Sequence, residues 1–198
     1  MMAPYVNDSL ILGENFVSQE VLDNGPLRTT FKLTYNNLPI DSSKSIGETR
    51  TFSIDAGSQM TKVTEEFLTG DTMSVAAGIV KRNVDDEAYN AMTDYGTAGV
   101  IYAEPESEKA GRVFVGMVFP KGLERTVTQS YKYFNPKTNA EEIYSHVLGI
   151  TTYYPGQPIT YYTGYGWNRF GFNSLGDFQI YIQNFSIARE EPLIIQFL

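Results

Sequence analysis

Residues 27–35 read LRTTFKLTY. Leu27, Thr29, Phe31, Leu33 and Tyr35 fall on one face of an extended chain, and Arg28, Thr30, Lys32 and Thr34 on the other. That alternation predicts an antiparallel strand with one face toward a core and one toward water. Working outward, the preceding NFVSQEVL (15–22) runs into Asp23-Asn24-Gly25-Pro26, a strong turn signal, so residues 15–35 are expected to form a hairpin.

The same period recurs down the chain. ETRTFSIDA (48–56) sets Arg50, Phe52 and Ile54 on one face, breaks at Ala56-Gly57-Ser58, and resumes as MTKVTEEFL (60–68). MSVAAGIVKR (73–82), AGVIYAEP (98–105), GRVFVGMVFP (111–120) and RTVTQSYKY (125–133) follow, separated by Gly, Pro, Asn or Asp. Both faces of the strand around Val113–Phe119 are apolar, which places it at the centre between two layers. EIYSHVLGITTYY (142–154) and QPITYYTGYGW (157–167) are expected to pair through Pro155-Gly156.

One stretch departs from the period of two. In SLGDFQIYIQNFSIARE, Phe178, Tyr181, Ile182 and Phe185 recur at helical spacing. Ser174 with Asp177 makes a capping box, and Arg189 suits the negative end of the helix dipole. PLIIQFL (192–198) reads as a closing strand. With no internal repeat or linker, the expectation is one domain over 1–198, an all-β antiparallel sandwich with one late α-helix.

The totals exclude whole classes of function. A domain of 198 residues buries about 70% of the surface its unfolded chain would expose. The formal net charge of -8, with the basic residues scattered, argues against nucleic acid and against an anionic membrane surface. Neutral ligands are compatible with this surface, whereas an acidic ligand needs a local basic pocket. Without cysteine there is no thiolate catalysis, zinc–thiolate site or iron–sulfur cluster. The start, MMAPYVND, lacks the basic and apolar regions of a signal peptide.

Candidate chemistry is sparse. His146 is the sole histidine, in SHVLGI, sharing a face with Tyr144 and Leu148. It reads as a partly buried histidine satisfied by a hydroxyl, or as a general acid or ligand to sugar hydroxyls. Among the carboxylates Glu48, Glu65, Glu66 and Glu104, Glu65 shares the face of Val63 and Phe67. Burial there raises its pKa. It is expected either to pair with Arg50 on the preceding strand or to act as a base. Calcium could be held by Asp85-Asp86-Glu87 or Glu65-Glu66, but short acidic runs are ordinarily solvated turns; no metal or cofactor is expected.

The aromatic stretch ITYYTGYGW places Ile159, Tyr161, Thr163, Tyr165 and Trp167 on one face, with Gly164 and Gly166 opposite and Arg169 just beyond. Tyrosine and tryptophan join an apolar ring to a polar tip, which suits stacking on a pyranose ring as well as packing in a core. The glycines clear space for close approach of a ligand or another strand.

Several stretches together resemble a family of uncharacterised secreted bacterial proteins found in polysaccharide-degrading bacteria. They are NDSLILGENFVSQEVLDNGPLRTTFKLTY, ETRTFSIDAGSQMTKV, GVIYAEPES with RVFVGMVFP, and SHVLGITTYYPGQPITYYTGYGW. The family carries a domain of unknown function and is similar to the galactose-mutarotase-like group, which implies a β-supersandwich fold. The resemblance also implies a periplasmic or secreted location. Its members are about twice this length, which implies that the present chain corresponds to their C-terminal half, with self-association or a missing N-terminal half to cover what that leaves open.

The functional expectation is a carbohydrate-active protein that acts on or binds a saccharide. In it His146 and Glu65 are the catalytic candidates, and Tyr161, Tyr165, Trp167, Arg169 and Arg50 line the substrate. A non-catalytic carbohydrate-binding module and a structural sandwich are the alternatives. Whether the late aromatic rings and the imidazole share one hollow decides among them.

Overall fold

The computed structural model describes residues 2–41, 44–81, 90–93 and 99–190. In chain order the elements are β1 (Met2–Val6), β2 (Ser9–Leu10), β3 (Ser18–Asn24), β4 (Arg28–Pro39), β5 (Ser45–Asp55), β6 (Met60–Leu68) and β7 (Met73–Lys81). There follow β8 (Asn90–Thr93), β9 (Gly99–Ala103), β10 (Val113–Val118), β11 (Arg125–Asn135), β12 (Ala140–Tyr153), β13 (Ile159–Trp167) and α1 (Leu175–Glu190). They build two antiparallel sheets, ordered β11-β12-β7-β1-β2 and β3-β4-β5-β6-β13-β10-β9-β8. The architecture is an all-β sandwich with one late helix.

Alternation explains the layers. Val75, Ala77 and Ile79 of β7 and Val147 and Tyr153 of β12 meet Val63, Phe67, Met117 and Tyr161 of the larger sheet in one core. The Tyr153 hydroxyl crosses between layers and donates to the Phe67 carbonyl at 2.7 Å, so the polar tip of a fully buried ring is satisfied. A second core lies on the outer face of the larger sheet, where Phe178 and Ile182 of α1 cover Ile101, Phe114 and Val118. β10 is thus covered on both sides, the reason its sequence is apolar throughout.

The helix begins as its sequence predicts. Ser174 Oγ accepts the Asp177 amide at 3.1 Å, while Asp177 Oδ2 accepts the amide of Asn173 at 2.9 Å, one residue earlier than the capping-box pattern requires. Gly116 and Gly166 make room for it: a Cβ on Gly166 would sit 2.7 Å from Phe172 and 2.8 Å from Phe178.

Two expectations change. The hairpin of β3 and β4 forms, but Leu27 lies in its turn, and Phe31 remains exposed because the five-stranded sheet opposes only part of the eight-stranded one. β12 and β13 do not pair with each other; β12 joins β7 and β11 while β13 joins β6 and β10, so the turn Tyr154–Gln157 is a corner between layers. Tyr153 and Tyr161 can then both face the shared core, which a flat hairpin would not allow. The closing strand expected at 192–198, and the acidic run Asp85–Glu87, lie outside the described residues.

Candidate functional site

Glu65 projects from the middle of β6 into the sandwich and is fully buried. Strand register sets Arg50 of β5 directly opposite, and Ile159 of β13 on the other side. The two side chains meet as expected, with Arg50 Nε 3.3 Å from Glu65 Oε2. Arg50 Nε also donates to Glu48, two residues back on the same face of β5. The guanidinium therefore lies between two carboxylates.

The small sheet completes this cluster. The Met2 amide of β1 donates to Glu65 Oε1 at 3.2 Å, and the Met2 carbonyl accepts from Arg50 Nη2 at 3.2 Å. Tyr161 donates to Glu65 Oε1 at 3.4 Å, and the Tyr35 ring lies 4.4 Å beneath the Arg50 guanidinium. Burial pushes the Glu65 carboxyl up to about 8, with Arg50 opposing and Glu48 reinforcing the shift. Burial would by itself lower the Arg50 pKa, but Glu65 and Glu48 more than reverse it. Burial, with the Glu65 charge, also raises the Tyr161 phenol well above its usual value.

Beside this cluster a cleft of about 580 Å³ opens at the edge of the sandwich. Glu48 and Arg50 form its inner wall, Asn15, Asn36 and Asn37 bring amides, and Phe16 and Tyr35 bring rings. Phe16 meets Tyr35 edge to face at 6.4 Å. A register shift between Tyr35 and Leu38, with Asn37 at φ 64°, bulges β4 just where the cleft lies. Such bulges re-aim side chains that a regular strand would alternate away. Its lining joins apolar rings to a few convergent polar groups, as small-molecule sites do.

The other candidates lie apart. Tyr161 is 1% exposed and stacks on Phe119 at 5.5 Å, so it belongs to the core and presents no face to a ligand. Tyr165 and Trp167 are 62% and 40% exposed, six residues or more along β13 from the level of Glu65, about 20 Å away. The Trp167 indole donates to Ala110 O at 2.7 Å and Arg169 Nη2 donates to Glu108 O at 2.7 Å, so both clamp the loop after β9. Gly164 and Gly166 admit the Gln59 backbone and the Phe172 and Phe178 rings rather than a ligand.

His146 lies on the face of the small sheet that points away from the core, stacked on Tyr131 at 5.2 Å, and burial lowers its pKa. Val147 beside it faces inward, so the imidazole and Glu65 are separated by the thickness of a layer. They do not form an acid–base pair. Glu65 and Glu66 alternate to opposite faces of β6, and no group able to hold a metal ion occurs among the described residues.

Sequence spacing brought out Arg50, Glu65 and Glu48 but missed Phe16, Asn36, Asn37 and the Met2 backbone. The Asn36-Asn37 pair inside an alternating strand was a usable signal, since asparagine tolerates the left-handed conformation of a bulge. No sequence signal marks Met2.

A family model described as a domain of unknown function, DUF4861, matches residues 2–195. The chain belongs to that family. This DUF4861 chain is also 25% identical, over 195 residues, to "Uncharacterized protein P7" of Formosa agariphila, across 95% of its own length and 44% of the relative's. It thus spans less than half of the protein it resembles.

Proposed function

We propose that the chain is a saccharide-binding sandwich whose ligand occupies the cleft between Phe16, Tyr35, Asn36, Asn37, Glu48 and Arg50. The observation that carries this reading is the joining of ring faces and polar groups in one concavity beside a pre-organised buried ion cluster. Rings cover the apolar face of a pyranose, while amides and charged groups take its hydroxyls. Binding is favoured over catalysis because Glu65 is buried behind Arg50 and His146 faces away. The proposal extends to a galactose-mutarotase-like ancestry, a periplasmic or secreted setting, and a role within a longer polypeptide, consistent with the short span of the relative that is matched.

Calorimetric titration with neutral mono- and oligosaccharides tests the reading. Binding should weaken about tenfold or more in Asn36→Ala and Phe16→Ala, both at exposed positions, and stay within about twofold of wild type in Tyr165→Ala. Loss in Tyr165→Ala with normal binding by Phe16→Ala would instead move the site to the open end of β13. No heat with any saccharide would leave a structural sandwich.

A further inference from the structure

On the outer face of the larger sheet, opposite the core, a second groove of about 640 Å³ runs between the strands and α1. Its floor is a row of hydroxyls, Thr30, Thr51, Ser53 and Thr64, that alternation turns away from the core. Its wall comes from α1, where Tyr181, Phe185 and Arg189 recur every fourth residue and so stand on one helical face, with Tyr162 of β13 beneath. The charged lining is Arg28, Asp55, Lys62 and Arg189, three cations against one carboxylate, in a chain of net charge -8.

That carboxylate is already used. Arg28 holds Asp55 through two contacts, at 2.5 and 3.0 Å, at the rim. Lys62 and Arg189 have no carboxylate within ion-pair distance among the described residues; the Arg189 guanidinium instead lies over the Phe185 ring at 5.0 Å and the Tyr162 ring at 5.9 Å. Stacking holds the guanidinium in place, while its charge adds only at longer range to the Arg28 contacts that lower the Asp55 pKa. Thr30 and Ser53 share one hydrogen bond at 2.9 Å, and each keeps capacity for a ligand hydroxyl. The groove is therefore the local basic pocket that an acidic protein needs before it can take an anion.

We propose that this groove binds an anionic, hydroxyl-rich small molecule, a sugar bearing a carboxylate, sulfate or phosphate. Its acid group lies between Lys62 and Arg189, its ring rests against Tyr162 and Phe185, and its hydroxyls meet the threonine and serine floor. The site lies on the other side of the sheet from the Phe16–Arg50 cleft and does not depend on it.

Titration by calorimetry of the full chain with glucuronate, glucose 6-sulfate, glucose 6-phosphate, glucose and inorganic sulfate tests the proposal and separates the acid groups. At least one anionic sugar should bind about tenfold or more tightly than glucose and than sulfate, and its affinity should fall with added salt. Lys62→Met and Arg189→Met, at exposed positions that leave folding intact, should each weaken that binding about tenfold or more. Tyr165→Ala, exposed and outside both grooves, should leave it unchanged. Equal affinity for glucose and the anionic sugars, sulfate binding as well as the sugars, no binding of any anionic sugar, or indifference to both substitutions would each overturn it.

Discussion

Tyr161 and Tyr165 stand on the same face of one strand, four residues apart, and have opposite fates. The first is enclosed against Phe119 and donates to Glu65; the second is open to solvent. Truncation should expose the difference. Tyr161→Ala is expected to cost about 3–5 kcal/mol, as large aromatic deletions in cores do, and to leave Glu65 with one partner fewer. Tyr165→Ala should cost roughly 0.5 kcal/mol or less. Urea denaturation midpoints of the two variants compare these directly, and similar losses at both would contradict the packing described.

Among the elements, the docking of α1 depends on β10 and β13 carrying glycine where other strands carry side chains. Gly166→Ala places a methyl within 3 Å of two phenylalanine rings that α1 and its approach segment hold in place. Overpacking of this kind costs about 1–3 kcal/mol, and the loss should appear in the near-ultraviolet circular dichroism of the surrounding rings as well as in stability. Unchanged spectra and midpoint would mean that the helix sits more loosely than these contacts imply. The bulge of β4 is the counterpart at the other end of the sheet. There the irregularity serves the cleft, bringing Asn36 and Asn37 beside Glu48 and Arg50.

At the scale of the whole molecule, the cluster of Glu65, Arg50 and Met2 ties one layer to the other through polar contacts inside the core. Unfolded, Glu65 would lose its proton near the ordinary glutamate value; folded, it keeps it to about 8. The folded state therefore holds the extra proton between those two values. The stability that goes with it is complete below the ordinary range and is lost as pH rises through about 8. Glu65→Gln cannot ionise, so its stability should decline less than that of the wild type between about pH 6 and about pH 9. Denaturation midpoints at the two pH values measure this, and parallel declines would show that Glu65 does not titrate in that window.

Much of the fold was legible before any coordinates. LRTTFKLTY, ETRTFSIDA and GRVFVGMVFP each became the strand that their alternation implied, and SLGDFQIYIQNFSIARE became the helix with its Ser174 cap. These signals are local: a side-chain period and a turn residue depend on neighbours along the chain. So does the inward turn of Glu65 toward Arg50, since strands adjacent in sequence commonly pair. What period alone could not reveal is which sheet a strand enters and how far the opposite sheet reaches. Consequently β12 and β13 parted at a corner, Phe31 stayed uncovered, Tyr161 was enclosed while Tyr165 was not, and His146 turned away from Glu65. Composition and alternation thus determined an acidic antiparallel sandwich with a capped helix. The two concave surfaces arose only when unequal layers packed, because a cleft is made by chain segments far apart in sequence whose separation in space no local pattern records.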